Sequence, residues 1–166
     1  MTQAISTYAT AKGYVQSIIL QMSNPLRYSV EDDGSFALSF HLIASFAMEL
    51  YLKAYLYARG HTEKELKAAP LRHDLKALRA MTIPYGFASN DADMLVDLLH
   101  SHHKSFEFRY TKQDSIFILK PIDEVFLAFS AVDFIVDTIV GASASKGLKP
   151  GGMWAFPHDK AVWRMG

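Results

Sequence analysis

Residues 36–60 read FALSFHLIASFAMELYLKAYLYARG, and this stretch decides the fold. Phe36, Phe40, Ile43, Ala47, Leu50, Ala54 and Tyr57 step by four and three residues, which is a continuous helical seam. Leu38, Leu42, Phe46, Leu52 and Leu56 form a second apolar face. A helix apolar on two faces belongs at the centre of a bundle. Gly60 is the expected C-terminal cap. Within this run, Glu49 and Lys53 stand at i and i+4 in the favourable order. Charge inside an apolar helix is costly unless paired, so these two side chains must have partners.

The flanking sequence extends the pattern. Thr2 to about Met22 has apolar residues at helical spacing and ends at Ser23-Asn24-Pro25. Glu31-Asp32-Asp33-Gly34 is an acidic turn placed to cap the central helix. Thr62-Glu63-Lys64-Glu65 has capping-box spacing, and Leu71 to Met81 reads as a short helix with Leu71, Leu75 and Leu78 inward. Ser89 or Asn90 starts a helix to about Phe108. Ile116 to Leu119 is a short strand or an extended connector. Pro121 opens a last long helix to about Ala142. The expected fold is an all-α bundle of five or six helices over residues 1–142. Residues 143–166 form a Gly/Ser/Pro linker and an irregular tail carrying Trp154, Phe156 and Trp163. Those aromatics dock either on the parent bundle or on a neighbouring subunit.

Composition narrows the function. The 166 residues include no Cys, and 17 Lys+Arg balance 17 Asp+Glu. Absence of Cys excludes disulfides, thiolate catalysis and Cys-ligated metals. Charge balance argues against a duplex-DNA binder. Acidic residues inside both long apolar stretches argue against membrane spans, and the N-terminus lacks a signal-peptide pattern; a cytoplasmic location is expected. No Gly-rich phosphate loop or nucleophile elbow is present.

Three segments resemble motifs of the HEPN superfamily of small helical domains. Ala47-Met48-Glu49-Leu50-Tyr51-Leu52-Lys53-Ala54 is similar to its glutamate-leucine-x-x-lysine-alanine helix. His73-Asp74-Leu75-Lys76-Ala77-Leu78 is similar to its histidine-x-leucine-x-x-leucine segment. Phe108-Arg109-Tyr110 is similar to the arginine-tyrosine pair after its third long helix. The resemblance spans about residues 36–140. It implies a homodimer that binds a nucleotide, RNA or an antitoxin-like protein partner, through a site lined by Glu49, Lys53, His73, Arg109 and Tyr110, with no cofactor. Many HEPN domains are metal-independent ribonucleases that use an arginine followed, after four to six residues, by a histidine. No arginine here meets that spacing; after Arg109 the three positions are Asp114, Ser115 and Ile116. A non-catalytic binding role is therefore expected.

Two alternatives remain open at this point. In a toxin or phage-defence ribonuclease, Arg109 would stabilise phosphorane charge, and His73 or a clustered histidine would act as acid or base. In a metal-binding helical protein, His100, His103 and Glu107, at i, i+3 and i+7 on one helix face, would hold the ion. An excess of basic over acidic residues between Lys53 and Arg79 offers RNA or an acidic partner a local positive surface.

Overall fold

The computed structural model describes residues 2–69, 71–105, 116–141 and 156–165. Six α-helices are found among them: α1 (Gln3–Ser23), α2 (Gly34–Ala58), α3 (Glu63–Lys67), α4 (Leu75–Thr82), α5 (Asn90–Lys104) and α6 (Ile122–Val140). The described residues contain no strand, so the chain is an all-α bundle. The segment 116–121 is an extended connector, with Ile116 and Ile118 exposed.

Helix α2 is the axis. It packs most extensively on α1 and also touches α4, α5 and α6. Ala44, Ala47, Met48, Tyr51, Leu52, Ala54, Tyr55 and Leu56 are all buried. By length and apolar composition α2 also meets the requirement for a membrane span, as a buried core helix does. It ends where Gly60 adopts φ +93, a conformation costly for any residue with a Cβ.

Local chemistry sets most boundaries. Thr2 caps α1 through Ile5 N, and Thr62 and Glu65 form the reciprocal capping box of α3. Ser89 caps α5, and Pro121 precedes the first turn of α6. Two expectations change. Helix α4 begins at Leu75, not Leu71, because His73 takes a left-handed φ of 63° and Asp74 caps the helix by accepting from Ala77 N. Asp33 occupies the N-cap of α2 without a capping bond. Its buried carboxylate is taken by Arg27 at 3.0 Å and by Arg164 at 2.8 Å, while the Asp32 carboxylate accepts from Gly34 N.

That exchange fixes the C-terminal segment on its own bundle. Arg27 donates to the carbonyls of Lys160 and Val162, Asp33 N–H donates to the Arg164 carbonyl, and the Arg164 N–H donates back to the Asp33 carboxylate. Trp163 stacks on His41 and donates its indole N–H to the Lys120 carbonyl, and Phe156 packs against Phe126. Trp154 lies outside the described residues, as do Glu107, Arg109 and Tyr110.

Candidate functional site

The charged pair in the middle of α2 is the seed of a larger cluster. Glu49 is 4% exposed and Lys53 7%. Lys53 Nζ donates to Glu49 Oε1 at 2.5 Å, as the i, i+4 spacing requires. The other carboxylate oxygen, Oε2, faces two imidazoles. His73 Nδ1 lies 3.0 Å away and His103 Nε2 2.7 Å away. A carboxylate only accepts, so both rings point N–H groups at it.

Three elements meet at this oxygen. Glu49 comes from α2, His103 from the last turn of α5, and His73 from the turn before α4. Phe46, one turn before Glu49, sets its ring edge-on to both imidazoles at centroid distances of 6.5 Å and 5.1 Å. It limits how either ring rotates. His103 is buried, whereas the His73 side chain is about a quarter exposed and forms the opening to solvent.

Electrostatics hold the centre ionised. Burial by itself raises the Glu49 pKa, but hydrogen bonds from His103, Lys53 and His73 and the Lys53 charge outweigh it and bring it down to about 2. Glu49 therefore carries its charge throughout the neutral range.

A second layer surrounds the opening. Asp74 accepts from Lys104 at 2.7 Å and has His100 Nδ1 3.6 Å away. Burial alone raises the Asp74 carboxyl, while Lys104, the Ala77 amide and His100 lower it more. Arg72, Lys76 and Lys104 are exposed. Lys76 in turn reaches Asp97.

The structure thus brings together Glu49, Lys53 and His73 and adds His103 to them. His103 had been grouped with His100 and Glu107; instead it turns to Glu49, while His100 turns to Asp74 and Glu107 lies outside the described residues. The signal was present in the sequence. Ala92, Leu95, Val96, Leu99 and His103 share the buried face of α5, so His103 had to point inward.

A separate buried polar group lies in the core. Lys12 meets Asp133 at 3.2 Å, and Tyr51 donates to the same carboxylate at 2.9 Å. Burial raises the Asp133 pKa despite Lys12, and it raises Tyr8 and Tyr51 as well. All four side chains are almost completely enclosed, which makes this a tie between α1, α2 and α6. A concavity of about 560 Å³ near Tyr57, His61 and Val140 contains none of the Glu49 cluster.

Comparison of the chain with known protein families, curated proteins and solved structures returns no match.

Proposed function

We propose that this protein is a HEPN-like, non-catalytic module that binds the phosphate groups of a nucleotide or RNA at the His73 opening, in the cytoplasm and as a homodimer. One observation carries the reading: Glu49, Lys53, His73 and His103 converge on a single centre that reaches solvent through the partly exposed His73. Enclosing Glu49, Lys53 and His103 in the apolar interior carries a desolvation cost that their mutual bonds must offset. In this reading Glu49 sets the tautomers and orientation of both imidazoles. His73 faces the ligand, and the resemblance implies that Arg109 and Tyr110 would supply a guanidinium fork and a stacking ring. The motif order described above supports the family assignment, and the missing arginine–histidine spacing supports binding without cleavage.

The test is an anisotropy titration of a labelled single-stranded oligoribonucleotide in EDTA. Wild-type protein is expected to bind with a salt-dependent affinity, as phosphate contacts require. Arg109→Ala and His73→Ala are each expected to weaken binding about tenfold or more, the equivalent of one lost charged contact. Unchanged binding in both variants, or no binding of RNA or nucleotide by wild type, rejects the reading and leaves a protein partner as the occupant to be sought.

A further inference from the structure

We propose that Glu49, His73 and His103 form a binding site for a divalent transition-metal ion of the Zn²⁺ class, held by one carboxylate oxygen and two imidazole nitrogens. One ligand atom from each residue lies within 4.8 Å of the others. A tetrahedral ion with bonds of about 2.0–2.1 Å spaces neighbouring ligand atoms about 3.3 Å apart. The observed separations from Glu49 Oε2 are 3.0 Å to His73 Nδ1 and 2.7 Å to His103 Nε2. Reaching that spacing opens these two edges by about 0.3 Å and about 0.6 Å. Each ring then presents a lone pair to the ion and carries its proton on the other nitrogen.

Three further features fit a metal better than a plain hydrogen-bonded cluster. The donor set, two imidazoles and a carboxylate, suits Zn²⁺, Co²⁺ or Ni²⁺ and leaves one position for water or a ligand oxygen. Phe46 packs on both rings and supplies the apolar wall that fixes ligand rings at such sites. His73 alone among the described non-glycine residues holds a positive φ, a conformation that costs free energy and that aims its ring at Glu49. Lys53 stays on the other carboxylate oxygen, so Glu49 offers the ion Oε2 alone. The ion would tie α2, α5 and the turn before α4 together, so binding must raise stability.

The inference uses residues of the phosphate site but does not rest on that function. RNA binding is tested in EDTA; metal binding is tested without nucleic acid. Protein stripped with EDTA and dialysed is titrated with Co²⁺, followed by visible absorption, and then with Zn²⁺ in competition. One equivalent with tetrahedral-type bands is expected, together with a Zn²⁺-induced rise in Tm of about 5 °C. His73→Gln, at the partly exposed ligand, is expected to weaken Zn²⁺ at least about tenfold while circular dichroism stays that of the wild type. Glu49→Gln is expected to abolish binding; if it does not fold, His73→Gln decides. His100→Gln is expected to bind as the wild type does. No uptake at tenfold excess of metal overturns the proposal. So does unchanged affinity in His73→Gln, or a loss in His100→Gln that His73→Gln does not show.

Discussion

Glu49 accepts from three side chains, two of them almost fully enclosed. Replacing the carboxylate by an amide, Glu49→Gln, strands the Lys53 ammonium at 7% exposure. Breaking a buried pair from one side costs about 3–5 kcal/mol, and urea unfolding at pH 7 should show a loss of that order. The same carboxylate shapes the acid limb of stability. Its folded pKa of about 2 lies below the ordinary 4.5, so the unfolded chain binds its proton first. Its contribution is complete above about pH 5 and fades as pH falls from 4.5 towards 2. Unfolding midpoints across that window should fall more steeply for wild type than for Glu49→Gln; parallel curves would show that the pair contributes nothing. His73 adds a backbone test. With φ at 63°, a Cβ is disfavoured there by about 1–2 kcal/mol, so His73→Gly should be more stable than His73→Ala by about 1 kcal/mol. Equal stabilities would mean that the turn relaxes.

At the scale of elements, the apolar seam of residues 36–57 was enough to place α2 at the centre, apolar spacing located α1, and cap chemistry located the starts of α3 and α5 within a residue or two. What the seam did not reveal is where side chains from distant segments meet. The Glu49–Lys53 pair was legible because it is local. The arrival of His103, 54 residues further on, depends on the packing of α5 against α2, which helical periodicity alone does not specify. The start of α4 was misplaced for a related reason. Leu71, Leu75 and Leu78 keep helical spacing, but the left-handed His73 breaks the helix between them. Asp33 shows the same limit: its local role as a cap yields to Arg27 and to Arg164, 131 residues away. Burial pushes its carboxyl up, but the bonds from Arg27 and Arg164 win and hold it well below the ordinary range. Asp33→Asn should therefore loosen the C-terminal segment and cost about 3 kcal/mol, because buried Arg27 loses its counter-charge. Limited trypsin digestion measures this directly. Cleavage after Lys160, whose carbonyl and ammonium are both engaged in the wild type, should accelerate strongly in the variant.

At the scale of the whole molecule, two of the buried polar groups among the described residues differ in character. The Lys12–Asp133–Tyr51 group is sealed and binds helices together. The Glu49 group reaches solvent at His73, and the proposed ligand site lies there. The proposed activity is binding of phosphate-bearing ligands without cleavage. The most direct measurement is a gel assay of labelled total RNA with purified protein in EDTA, wild type beside Arg109→Ala, scoring retained and cleaved RNA in the same lanes. The account predicts RNA that is retained and intact with wild type and released by the variant. Fragments that appear with wild type and vanish with Arg109→Ala would contradict it and make the protein a metal-independent ribonuclease.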